Sequence, residues 1–203
     1  MSSSLLQRLP QAVRPLSDPP GTRGWNHAEL ADLLPSPARA AAAVLVPIVV
    51  RDTTLSVLLT RRTDQLTQHA GQVSFPGGRQ EPDDVDAIAT ALRETREETG
   101  IAADLLEPFG FLDCLETVSG YCVTPVVAWL SGGYHAQPDP REVAEVFEVP
   151  LDVFLRPENL LRTRMQFRGR EREILEFAHA GPRIWGATAM MLLNLVKRLE
   201  EVP

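Results

Sequence analysis

Residues 93–98 read Arg93-Glu94-Thr95-Arg96-Glu97-Glu98, three carboxylates and two guanidiniums in one short run. On a helix, Glu94 lies one turn from both Glu97 and Glu98, so the acids crowd a single flank. They also fall in the last turns, where the helix dipole disfavours anions. A cluster set against both effects suits a hard divalent cation, Mg²⁺ or Mn²⁺, which takes carboxylate oxygens and bridges them to substrate phosphates. The plain alternative is a solvated face in which Arg93 pairs with Glu97. Arg93 has a second use, orienting Glu97 or a neighbouring carboxylate through a forked hydrogen bond.

Other residues fall where such a cluster needs them. Gly77-Gly78 frees the backbone for close approach. Arg61 and Arg62 end an apolar run whose strand geometry sends them to opposite faces, so at most one meets an anion. Glu142 and Glu145 precede Val146-Phe147-Glu148-Val149-Pro150 and compete with Glu97 for the role of general base. The four histidines, His27, His69, His135 and His179, are scattered. There is no phosphate loop ending Gly-Lys-Ser or Gly-Lys-Thr, no Gly-x-Ser-x-Gly and no His-Glu-x-x-His.

The elements that position these groups follow from the apolar pattern. Residues 43–50 and 55–60 form two antiparallel strands around the polar turn Arg51-Asp52-Thr53-Thr54. A third strand covers 71–75 and stops at Pro76-Gly77-Gly78. Val85, Ile88, Ala89, Leu92 and Thr95 recur at helical spacing, and Gly100 ends that helix. Strands follow at 109–115, 122–130 and 143–149, then a hairpin of 164–167 with 174–177 through Gly169, then a helix over 185–200. The pattern predicts an α/β/α sandwich with a mixed central sheet. Pro10, Pro15, Pro19, Pro20, Pro35 and Pro37 mark residues 1–37 as an extension wrapped on the core, helical only near 27–33.

With 203 residues, 44% hydrophobic and 23% charged, one domain plus an appendage is expected. A net charge of −7 leaves no broad cationic surface for a nucleic-acid backbone. No apolar run reaches membrane-span length, and neither terminus carries an address motif, so the cytoplasm is the expected location. Cys114 and Cys122 match no disulfide framework or zinc motif and are expected as reduced, packed thiols.

Residues 93–101 resemble the second half of the Nudix box, G-x(5)-E-x(7)-R-E-U-x-E-E-x-G-U, with Thr95 at an aliphatic position. Gly78 lies one residue too far upstream, so the first acidic position falls on Asp84 counted from the glycine or on Val85 counted from the helix. Upstream, Leu58-Leu59-Thr60-Arg61-Arg62-Thr63, Gly71 and Phe75-Pro76-Gly77-Gly78 resemble the signature of the coenzyme A pyrophosphatase branch, with Thr67 at the place of its second arginine. The resemblance spans about residues 40 to 195 and implies a Nudix hydrolase domain over 38–203. It implies metal-dependent cleavage of coenzyme A, and of acyl-CoA, to 4′-phosphopantetheine and adenosine 3′,5′-bisphosphate. Its implied assignments are Glu94, Glu97 and Glu98 for metal, and Arg61, Arg62, Phe75, Gly77 and Gly78 for substrate. Arg93, Glu97, Glu142 and Glu145 complete the catalytic set. The alternatives are another nucleoside diphosphate derivative as substrate, such as ADP-ribose or a dinucleotide, and a non-catalytic binding module.

Overall fold

The computed structural model describes residues 2–34, 40–52, 54–65, 69–167 and 169–203. The chain opens with α1 (Ser2–Ala12) and α2 (His27–Leu30), then β1 (Ala40–Arg51), β2 (Thr54–Arg62), β3 (Val73–Ser74) and β4 (Gly77–Arg79). After α3 (Ala87–Thr99) come β5 (Leu106–Phe111), β6 (Leu115–Glu116), β7 (Tyr121–Ser131), β8 (Val143–Pro150) and α4 (Leu151–Phe154). The chain finishes with β9 (Leu160–Phe167), β10 (Arg170–Phe177), β11 (Ile184–Trp185) and α5 (Gly186–Glu201).

Strands β3-β2-β1-β7-β5 lie side by side in one sheet; β4 adds to β1, β6 to β7 and β8 to β2. The sheet is mixed, because β1 and β7 run parallel from Ala40 opposite Tyr121 to Val50 opposite Ser131, while β2 is antiparallel to β1. Alternation along β1 and β2 divides the core. Leu45, Val49 and Leu58 pack with Ala91 of α3 on one face. Val46, Ile48, Val57 and Leu59 pack with Leu192, Leu195 and Leu199 of α5 on the other. This is the expected α/β/α sandwich. Strands β9, β10 and β11 form a second, three-stranded sheet. No helix among the described residues is long and apolar enough to cross a membrane.

Several local expectations are corrected. The extension contains a true helix, α1, whose Leu5, Leu9 and Ala12 join the core beside α5. The Arg8 guanidinium donates to the carbonyls of Leu199 and Val202 at 2.6 and 2.9 Å. Pro10 sits in the last turn, where one missing N–H removes little of the helical ladder. Pro35 and Pro37 lie outside the described residues. Gly77-Gly78 does not stop regular structure but forms β4 against Ala43 and Val44, and the third strand is only Val73–Ser74. The segment 109–115 divides into β5 and β6. Val85 precedes the helix and is 89% exposed; of the expected stripe, Ile88 and Leu92 pack against the core and Thr95 is buried, and α3 also buries Thr90, Ala91, Glu98 and Thr99. The cysteines are joined as a disulfide, Cα–Cα 6.4 Å, in place of the expected reduced thiols. The β6–β7 register sets Glu116 opposite Cys122, which brings Cys114 within bridging range.

Candidate active site

The ends of α3 fix the acidic run in place. Asp86 caps the start by accepting from the Ala89 N–H at 2.8 Å, the role that short polar side chains serve at helix N-termini. At the other end Gly100, at φ 69°, donates to the Arg96 carbonyl, a left-handed cap that glycine adopts without a Cβ clash. The neighbouring carbonyls would be orphaned, but the N–H groups of Gln137 and Asp139 donate to Thr99 and Glu98 at 2.7 and 3.1 Å. Those two bonds pin the loop before β8 to the helix end. The Thr63 N–H, donating to the Glu142 carbonyl at 2.9 Å, holds the loop against the end of β2.

Arg93 is the hub. Its Nε and Nη2 fork onto the two oxygens of Asp84 at 3.0 and 2.8 Å. Nη1 reaches Glu94 at 3.0 Å and Glu97 at 3.3 Å, and Nη2 also meets the Arg79 carbonyl at 3.1 Å. The register of the first acidic position is thereby decided for Asp84, because a carboxylate there meets a guanidinium that an exposed Val85 has no means to engage. Arg93, helped by the Glu81 N–H and the Thr90 hydroxyl, holds the Asp84 carboxyl far below the usual range. The hydrogen bond to Asp84 and those to Glu94 push Arg93 above its own. Thr95 fits its buried position because its hydroxyl donates to the Ala91 carbonyl at 2.6 Å, leaving the methyl to the core.

Glu98 is the most deeply buried acid of the cluster. It is only 4% exposed, and burial pushes its carboxyl up to about 8; Glu142 and Glu94 add to the rise, while Arg62 and the Gly77 backbone oppose it. Its Oε2 is buried with no hydrogen-bond partner among the described residues. Glu94 is raised in the same sense, first by burial, then by Glu97 and Glu142 against the pull of Arg93. Glu97 is 59% exposed at the side chain and leans on Arg93. Among the described residues no three His, Cys, Asp or Glu side chains already converge as a cage. The pair Glu94 and Glu98 nevertheless fits a divalent cation: two desolvated, mutually repelling carboxylates, one with an idle buried oxygen, are the donor chemistry such an ion needs.

The remaining expected residues separate. A Cβ on Gly78 would lie 2.5 Å from Glu94 Oε1, the movable end of a side chain, and one on Gly77 2.4 Å from the backbone carbonyl of Ala43; the close approach requires glycine at Gly77. Phe75, 2% exposed, belongs to the core and supports the turn from beneath. Arg62 points to Glu98, with Nη1 3.8 Å from Oε1. Arg61, next along the strand, shares the α5 side with Leu59 and pairs with Glu145 at 3.6 Å across the β2–β8 ladder. Glu142 therefore stands with the box acids and Glu145 does not. Thr67 lies outside the described residues. The Asp139 loop anchor was missed in the sequence; the only sign was its position before β8.

The mixed α/β sandwich sets a carboxylate-rich helix behind a glycine turn, and the comparisons give the family in which this arrangement stands. The NUDIX domain model matches residues 39–175, and the chain belongs to the Nudix hydrolase family. It is similar to the "Uncharacterized Nudix hydrolase NudL" of Photorhabdus laumondii, 39% identical over 159 residues, 78% of this chain and 84% of that protein. The NudL of Yersinia pestis (strain Pestoides F) is 39% identical over 158 residues, covering 78% and 79%. Among solved structures, the Nudix hydrolase RenU of M. smegmatis aligns with TM-score 0.48 at 24% identity, covering 57% of this chain and 73% of that one.

Proposed function

We propose that this Nudix hydrolase cleaves the pyrophosphate of coenzyme A or an acyl derivative in the cytoplasm, using Mg²⁺ or Mn²⁺ held by Glu94 and Glu98, with Glu97 as a further ligand. The observation that carries the reading is Glu98: a buried carboxylate with an unpartnered oxygen, beside a second desolvated acid and a turn stripped of side chains. The upstream likeness through Leu58-Leu59-Thr60-Arg61-Arg62 and Phe75-Pro76-Gly77-Gly78 supports coenzyme A as the substrate. Residues 1–37 are read as an extension and 38–203 as the catalytic domain, in keeping with the packing of Leu5 and Leu9 beside α5.

A bound divalent cation supplies charge neutralisation at the diphosphate and acidifies water. The chain's own residues do the rest. Asp84 immobilises Arg93, and Arg93 aims Glu94 Oε1. Gly78, without a side chain, lets the turn lie against that carboxylate. The Glu142 carboxylate, exposed yet electrostatically coupled to both Glu94 and Glu98, accepts the proton of the attacking water. Arg62 faces the anion.

The test is incubation with coenzyme A and Mg²⁺ in ¹⁸O water, with product masses read directly. The expected outcome is 4′-phosphopantetheine and adenosine 3′,5′-bisphosphate, one of them carrying ¹⁸O, and a lower kcat/KM for coenzyme A lacking its 3′-phosphate. Faster turnover of ADP-ribose or a dinucleotide would reassign the substrate. Tight binding without any turnover would make the protein a binding module.

A further inference from the structure

The two arginines beside the acidic cluster differ in how far they are committed. Arg93 is saturated, with hydrogen bonds to Asp84, Glu94, Glu97 and the Arg79 carbonyl. A guanidinium held at that many points is a fixed part of the scaffold. Arg62 is the opposite. Its Nε is buried with no acceptor among the described residues, and its nearest carboxylate contact, Nη1 to Glu98 Oε1, is 3.8 Å, too long for a hydrogen bond. Glu98 mirrors it, with Oε2 also buried and unpartnered. A guanidinium and a carboxyl thus sit face to face, each desolvated and neither satisfied by the other. A pair of this kind is weakly bound, since both partners keep unspent hydrogen-bonding capacity in a poorly solvated place. The strand places Arg62 for the role: it lies on the α3 side of β2 beside a register shift in the β2–β8 pairing between Arg61 and Arg62, while Arg61 is engaged by Asp64 and Glu145.

We propose that Arg62 is an exchangeable counter-ion: it faces Glu98 whenever that carboxylate is ionised and holds no cation, and passes to a diphosphate oxygen once the charge of Glu98 is otherwise cancelled. Arg62 is then a positioning residue in the empty site and a substrate-binding residue in the filled one. The exchange makes anion binding wait for neutralisation of the carboxylates, so that a diphosphate is gripped in order. This rests on the preceding reading only for the class of anion, a diphosphate, and not on coenzyme A.

The experiment is a double-mutant cycle without metal. Binding of methylenediphosphonate, a diphosphate analogue with a P–C–P bridge, is measured by calorimetry in EDTA at about pH 9, where the Glu98 carboxyl is ionised, for the wild type, Glu98→Gln, Arg62→Gln and the double variant. Glu142→Gln serves as a control that removes a nearby negative charge without releasing Arg62. Circular dichroism checks that each variant is folded, and Arg62→Lys in the Glu98→Gln background provides a second route should Arg62→Gln unfold. The expected result is that Glu98→Gln tightens binding roughly tenfold, the scale of one charge-assisted hydrogen bond. The gain should exceed that of Glu142→Gln and vanish in the double variant. It should survive in part with Arg62→Lys, which keeps the cation but not the forked geometry. An equal gain from Glu142→Gln, or a gain that persists without a cation at position 62, would overturn the exchange. Because no cation and no coenzyme A are used, failure of the substrate assignment would leave this result intact, and failure here would leave turnover of coenzyme A untouched.

Discussion

Replacing Glu98 by Gln should make the metal-free protein more stable in mild alkali, and the size of the effect follows from its burial. In the unfolded chain the carboxyl ionises near 4.5; in the native fold it holds its proton up to about 8. Between those values the native state binds more protons than the unfolded state, so stability falls as pH rises, and it levels off above the upper value. The full span corresponds to on the order of 5 kcal/mol, at about 1.4 kcal/mol per tenfold change in the proton equilibrium. Gln keeps the shape and never ionises, so the variant loses this slope and draws ahead of the wild type through that window, with the full difference reached above about pH 8. Urea unfolding in EDTA, compared between the two proteins across that range, isolates the contribution from every other titrating group. Adding Mg²⁺ at about a hundred times its dissociation constant should return about 2.7 kcal/mol to the wild type and much less to the variant. Parallel pH profiles for the two proteins, or equal stabilisation of both by Mg²⁺, would refute the placement of an unsatisfied carboxylate at position 98.

Gly78→Ala should leave the melting temperature nearly unchanged, because the new Cβ meets the movable carboxylate of Glu94; turnover should fall at least about tenfold as that carboxylate is displaced, which thermal melts and kinetics together would check. Gly77→Ala, forced against the Ala43 carbonyl at φ 154°, should destabilise the fold by about 1–3 kcal/mol, measured by urea unfolding. Glu142→Gln should lower kcat by about 10² to 10⁴ if its carboxylate is the base, whereas Glu145→Gln, which only releases Arg61, should retain wild-type kcat; pH–rate profiles of both variants decide. Thr95→Val gives up one hydrogen bond to the Ala91 carbonyl whose acceptor stays within the helical ladder, so the change in stability should stay within about 1 kcal/mol, read from the shift in melting temperature.

The local code was legible wherever a pattern repeats within one element. Aliphatic runs identified β1, β2 and β7, and the Arg93–Glu98 run with Gly100 identified the acidic end of α3. The face of α3 was read in part: Ile88 and Leu92 pack against the core and Thr95 is buried as expected, while Val85 lies outside the helix and Thr90 and Glu98 are buried as well. The omission has a physical origin: a hydroxyl that bonds back to the preceding turn, and a carboxylate placed for chemistry, count as polar in a periodicity argument yet pack as interior groups. Helix α1 was hidden by Pro10 and the prolines that follow it in the chain, although Leu5, Leu9 and Ala12 already had the spacing of a buried face.

Sequence by itself determined the class of fold, the family resemblance and the acids of the box, because those depend on residue types at short, fixed spacings. Only the tertiary structure decided that Asp84 is the acid held by Arg93, that Arg62 and not Arg61 faces Glu98, and that Glu142 and Glu145 part company. Each of those choices turns on which side of a strand a residue takes, or on how far a loop is drawn in by the carbonyls of Glu98 and Thr99. Such distances are set by contacts between segments far apart in the chain. The raised carboxyl of Glu98 belongs to the same class: it comes from desolvation by the packed fold, a property that no spacing of residues along the chain encodes.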